Sequence, residues 1–131
     1  MDNCIDLIGR PYKNGGRGPA EYDCWGVVLE VFKRNGITLK DYIIDATDTA
    51  AISEAAKSAT DEQSGSWRKI NVPYGSGGPY LVTFELTEPG RVSHVGVFLD
   101  GYIIHALTKK NIVREPASKY QRLIGGYYEH R

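Results

Sequence analysis

The chain has 131 residues, 16 basic and 16 acidic side chains, and a formal net charge of +0. That length predicts one domain with one core, spanning residues 1–131. The charges are interspersed with no basic stripe, so nucleic acid and an anionic membrane surface are not expected partners.

The opening, MDNCIDLIGRPYKNGG, has no basic start and no long apolar run, so no signal peptide is expected, and no stretch is long enough to span a bilayer. The product as written is then cytoplasmic, or leaves by a route other than secretion. The two cysteines, Cys4 and Cys24, do not make a disulfide framework, although a bond between them stays open. There is no CxxC or HExxH, so a structural zinc site is not expected.

In chain order, residues 3–9 predict a short amphipathic helix that packs Cys4 into a core. Residues 10–22, RPYKNGGRGPAEY, predict a glycine-rich loop. No Lys-Ser or Lys-Thr follows the glycines, so the loop does not read as a phosphate cradle. It brings backbone and Tyr12 close to something else. Residues 22–36, YDCWGVVLEVFKRNG, predict a buried helix, apolar on nearly all sides and closed by Asn35-Gly36. Asp23 is the expected N-cap, which puts Cys24 in the first turn. Free N–H groups and the positive end of the helix dipole lie there, and both favour a thiolate. The same N–H groups can hold an oxyanion. A buried structural cysteine is the competing reading. Residues 47–60 predict a second helix, capped near Thr47 or Asp48, followed by a loop over 61–66.

The period then changes to strands over 66–72, 80–86, 92–99, 102–107 and 111–115, with a turn of helix in 117–124 leading to a last strand that ends at Tyr127–Tyr128. Helices first and strands after predict an α+β fold with an antiparallel sheet.

The stretch SHVGVFLDGYIIHA, residues 93–106, carries two of the three histidines. Asp100-Gly101 is a two-residue hairpin turn signal. It sets Leu99 opposite Tyr102 and Gly96 opposite His105. Alternation then puts His94 and His105 on one face as diagonal neighbours. A cysteine at a helix start and two histidines on one face fit a nucleophile, a base and an orienting group. A three-ligand metal site from the same residues ranks below that, and His130 reads as a solvated tail residue.

Residues 9–36 and 93–106 together resemble the NlpC-type cysteine peptidases of bacterial cell walls, a papain-like superfamily. The carrying features are a PY..GG loop, an Asp-Cys pair opening a helix, and a HVG strand with a second histidine shortly after. The resemblance implies a papain-like α+β fold, with the nucleophile helix packed on a central antiparallel sheet. It implies a catalytic Cys24, a general base His94 and an orienting His105. It also implies Tyr12 near the oxyanion or substrate, and Asp23 and Ser93 against the substrate's free amine. The implied reaction is hydrolysis of an amide in peptidoglycan stem peptides, typically after γ-D-glutamate and before the diamino acid, with no cofactor or metal.

Trp25 stands where most of that family carry Ser, and is expected at the substrate groove. The tryptophan form, in the context GRGPAEYDCWG, is more like versions in bacteriophage tail modules, which makes phage tail proteins expected partners and a virion an expected location. GSGGPYLVTF stands where many relatives have a Pro-Gly-Asp turn, and residues 41–72 match nothing in the family. The alternatives are a tail-assembly component with little hydrolysis, and an acyl-transfer or amidase enzyme of the same superfamily.

Overall fold

The computed structural model describes residues 2–42, 48–60, 66–71, 73 and 77–130. Two helices, α1 (Cys24–Arg34) and α2 (Thr49–Thr60), precede six strands: β1 (Trp67–Ile70), β2 (Tyr80–Phe84), β3 (His94–Leu99), β4 (Tyr102–Ala106), β5 (Ile112–Pro116) and β6 (Ile124–His130). All six join one antiparallel sheet in the order β1-β6-β2-β3-β4-β5. The expected α+β class therefore holds.

The sheet separates two apolar clusters. On one face Val95, Val97, Leu99, Ile104 and Ala106 pack against Val27, Val28, Val31 and Phe32 of α1. Each of these large apolar side chains contributes on the order of 1.5–3 kcal/mol when fully buried. On the other face Val82, Phe84, Phe98, Ile103 and Tyr127 meet a 3-10 turn, Ala117–Tyr120. A cavity of about 550 Å³ lies on this second face, lined partly by Ile70, Phe98, Ala117 and Tyr127.

The β3–β4 hairpin has the register that its turn dictates. Val97 pairs with Ile104, Phe98 with Ile103 and Leu99 with Tyr102. Asp100 and Gly101 have φ of 51° and 91°. Both signs are those of a type I′ turn, which Asp-Gly adopts at low cost and which matches the strand twist.

Other expectations change in detail. The predicted helix over residues 3–9 is a three-residue 3-10 turn, Ile5–Leu7, because Cys4 takes a left-handed conformation (φ 58°) that stops a longer helix from forming. Cys4 is nevertheless buried in the helix-side core. Asp48, not yet in the helix, caps α2 by accepting from the Ala51 N–H (3.0 Å). The readings on Thr47, on loop residues 61–65 and on Val72 fall outside the described residues. The last strand runs on to His130, which pairs with Trp67 and meets its ring edge-on at 4.9 Å. His130 is thus a half-buried sheet residue and not a solvated tail. No helix among the described residues is long and apolar enough to cross a membrane.

Close packing at the start of α1 makes one substitution diagnostic. A Cβ on Gly26 would stand 2.2 Å from the Gly16 carbonyl oxygen. Helix propensity alone favours Ala over Gly by about 1 kcal/mol, but a backbone clash of this kind outweighs it. Gly26→Ala is therefore expected to destabilise by at least about 2 kcal/mol, read as a lower urea midpoint at unchanged m-value. An equal or higher midpoint would show that the loop yields freely.

Candidate active site

Asp23 starts the site. Its backbone is extended (φ −93°, ψ −175°) and its carboxylate accepts from the Gly26 N–H at 2.7 Å. That caps α1 and fixes Cys24 as its first residue. The same carboxylate accepts from the Gly15 N–H (3.0 Å) and from Arg17 (2.7 Å). Arg17 in turn reaches Asp41 (3.1 Å) and the Tyr42 carbonyl (3.3 Å). Asp23 is almost wholly buried and its oxygens are taken up by this loop clamp. It positions Cys24.

Cys24 is only 6% exposed. The backbone N–H groups of Val95, Trp25 and Cys24 itself all favour its charged form. The Val95 contact places the sulfur over the start of β3, one residue from His94. The expected thiolate is not the resting state, however. Burial, with the charge of Asp23 behind it, pushes the thiol up to about 11. The physical reason is one of scale. Desolvation can raise a buried thiol by several pKa units, whereas a helix terminus supplies roughly one unit or less.

The two histidines meet as the hairpin register predicts. His94 Nε2 and His105 Nδ1 are 2.9 Å apart on the face opposite α1. Gly96, across from His105, makes this possible, since a Cβ there would stand 2.9 Å from the His105 Cβ. Phe84 lies parallel to the His105 ring at 5.4 Å and tilted to His94 at 5.0 Å. Tyr120 closes edge-on over His105 at 5.2 Å. Burial in this aromatic box, with His105 adjoining, pushes His94 down to about 3. Burial lowers His105 too, against the opposing pull of Glu115. Both rings are therefore neutral near pH 7, and a neutral imidazole can accept a proton.

The sequence reading missed Glu115, whose Oε1 stands 2.9 Å from His105 Nε2. The β4–β5 register places it there, but no turn signal in the sequence fixes that register. Ile103 pairs with Glu115 and His105 with Val113, so Glu115 and His105 share a face.

Tyr12 joins Cys24 and Trp25 in the helix-side cluster, bridging to Tyr22 two residues before the cysteine. Trp25 packs edge-on against Tyr42 at 5.4 Å. Ser93 precedes His94, but its N–H donates to the Phe84 carbonyl and its hydroxyl accepts from the Leu86 N–H. It braces the end of β2.

A cysteine opening a helix that packs on an antiparallel sheet, with a histidine pair beginning on the neighbouring strand, defines a papain-like domain. The chain belongs to the NlpC/P60 family, whose sequence model matches residues 9–130. The fold is similar to that of NlpC1 from Trichomonas vaginalis, with a TM-score of 0.64 and 21% identity over 95% of this chain and 41% of that one. It is similar to an NLP/P60-family lipoprotein-like protein from Staphylococcus aureus, at TM-score 0.59 and 20% identity, covering 95% of this chain and 38% of the other. The NlpC/p60 domain of the peptidoglycan hydrolase SagA matches at TM-score 0.60 and 19% identity, over 95% of this chain and 90% of that domain. The chain thus spans well under half the length of the first two. No curated protein matches it.

Proposed function

We propose that this protein is a cysteine hydrolase that cleaves amide bonds in peptidoglycan stem peptides, of the D,L-endopeptidase type that acts between γ-D-glutamate and the diamino acid. The observation that carries the reading is the 2.9 Å contact between His94 Nε2 and His105 Nδ1. It occupies one nitrogen of His94 and leaves Nδ1 as the nitrogen for Cys24. Family membership supports the reaction class, and SagA, named as a peptidoglycan hydrolase, supports the substrate.

In this mechanism the thiol is neutral at rest, so deprotonation accompanies attack. The Cys24 proton passes to His94 Nδ1 as the sulfur bonds to the carbonyl carbon, and the carbonyl π electrons move to oxygen. The N–H groups at the start of α1 face that oxyanion, and Tyr12, on the same side, adjoins it. Collapse expels the amine, which takes the proton from His94 and leaves an acyl-thioester. Water, giving a proton to His94, then attacks the thioester carbon; collapse breaks the C–S bond, releases the acid, and the Cys24 sulfur takes the proton back from His94. His105 holds the His94 ring throughout. Trp25 narrows the groove from the α1 side. Its context, GRGPAEYDCWG, supports a phage-tail variant that acts with other tail proteins on the cell wall.

One observation favours a second reading. Cys24 is 6% exposed and its thiol lies far above neutrality, which suits a tail-assembly component with little hydrolysis. Incubation with purified muropeptides, followed by mass spectrometry, separates the two. The expected products are a disaccharide ending in D-glutamate and a peptide beginning with the diamino acid. An unchanged muropeptide profile would favour the assembly role, and cleavage at another amide would redirect the bond assignment.

A further inference from the structure

We propose that Glu115 is a positioning residue that sets the tautomers of His105 and His94, so that the bare ring nitrogen of His94 is the one presented to Cys24. This rests on the reading of Cys24 and His94 as nucleophile and base.

The argument is a chain of donors and acceptors, each fixed by the one before. Glu115 lies on β5 with its side chain only 15% exposed. Its Oε1 accepts from the Tyr120 hydroxyl (2.7 Å) and stands 2.9 Å from His105 Nε2, while Lys119 pairs with Oε2. Donors from Lys119, Tyr120 and His105 outweigh its own desolvation and hold the carboxyl down to about 2. Near neutral pH the group is ionised, and an ionised carboxylate only accepts. The hydrogen in that contact must therefore sit on His105 Nε2. A neutral His105 then has a lone pair on Nδ1. That lone pair faces His94 Nε2 at 2.9 Å, so the hydrogen of the second contact sits on His94 Nε2. A neutral His94 is left with Nδ1 bare.

Without the carboxylate the chain can run backwards. The Tyr120 hydroxyl or the Lys119 ammonium can donate to His105 Nε2. His105 then carries its hydrogen on Nδ1 and donates to His94 Nε2, which forces the His94 hydrogen onto Nδ1. A His94 protonated on Nδ1 cannot take the thiol proton there. Phe84, Phe98 and Ile103 share this face of the sheet and offer no competing acceptor. Glu115 also favours the imidazolium that forms when His94 gains the proton, acting through His105 without itself being protonated. This is the part that a carboxylate plays behind a catalytic histidine in other hydrolases, displaced here by one ring.

The test pairs a spectrum with kinetics on the full chain. Two-bond ¹H–¹⁵N correlation of the imidazoles at pH 7.5 reads each tautomer directly. Wild type is expected to show Nε2–H for both His94 and His105. Glu115→Leu removes the acceptor. Glu115→Gln keeps the size, and its amide can donate to His105 Nε2, which covers the case in which the Leu variant fails to fold. In either variant the Nδ1–H form of His105 should appear. With a stem tetrapeptide, kcat should fall at least about tenfold, with KM within roughly twofold of wild type. Nε2–H tautomers retained by both histidines in the folded variants would overturn the proposal, as would a shifted tautomer with wild-type kcat. If wild type itself cleaves no muropeptide, the proposed reaction falls, while the tautomer pattern still decides whether Glu115 sets the rings.

Discussion

Cys24→Ala is expected to abolish muropeptide cleavage, because no other sulfur can replace the nucleophile. Cys4, the second cysteine, is buried against the first 3-10 turn with its thiol pushed up to about 12. His94→Ala should cost about 10²- to 10⁴-fold in kcat, the usual contribution of a positioned acid-base group. It should cost towards the upper end, since a thiol at about 11 has no thiolate fraction to fall back on near pH 7. The structure sharpens the expectation for His105. The atom that meets His94 is Nδ1, and an Asn Oδ1 occupies nearly the same place on a side chain of that length. His105→Asn should keep partial activity, His105→Gln less, and His105→Ala least. Cys24→Ala combined with His105→Ala should be no worse than Cys24→Ala alone, as members of one catalytic unit are not additive. The check is turnover of a stem tetrapeptide across the series, with circular dichroism to verify folding. Cleavage by Cys24→Ala would remove the thiol mechanism. Wild-type turnover by His105→Ala would reduce His105 to a sheet residue.

The second large effect is acid lability. In the folded protein His94 is held down to about 3 by burial, against 6.5 when free. Between those values the unfolded chain binds a proton that the native state refuses. Stability therefore rises with pH across the window, is complete above about 6.5, and is lost as pH falls towards 3. At roughly 1.4 kcal/mol per pKa unit the loss is on the order of several kcal/mol, a large part of a small domain's stability. His105, also lowered, acts with the same sign. Glu115, held down to about 2 from 4.5, stabilises above 4.5 and loses that contribution as pH falls further. The urea midpoint should therefore drop steeply from pH 6.5 to 4 in wild type and less in His94→Gln, which has nothing to titrate at that position. Parallel curves for the two proteins would show that His94 is protonated without cost, hence not enclosed as described.

How much of this was legible beforehand depended on how local each cause was. The His94–His105 contact follows from Asp100-Gly101, because a two-residue turn fixes the register of everything it joins. The start of α1 follows from Asp23, whose cap needs only the next three residues. Glu115 was not legible because residues 107–111 between β4 and β5 carry no turn signal that sets a register. The thiol's protonation was misjudged because the helix terminus is visible in sequence, whereas the desolvation that overrides it comes from strands seventy residues on. The clamp on Asp23 was not legible for a similar reason, since Arg17 and Gly15 engage it only once the glycine loop folds back. The place of His130 depended on β6 entering the sheet beside β1, a long-range pairing without a local marker.

That placement of β6 sets the order of assembly. The last of the six strands is an inner one, joined to β1 on one side and β2 on the other. While the polypeptide is still emerging from the ribosome, β2 through β5 can form a meander, but β1 has nothing to pair with. The flank of β2 that β6 will occupy stays open, with its backbone groups unpaired. The histidine box is built on this meander, so the face that carries His94 and His105 can take shape before the sheet is complete. Closure then waits on β6, whose contacts with β1 and β2 join residues far apart in sequence and are slow to form for that reason. A nascent chain stalled before Ile124 would carry a nearly finished site on an unfinished sheet, with an edge ready to pair with the wrong partner.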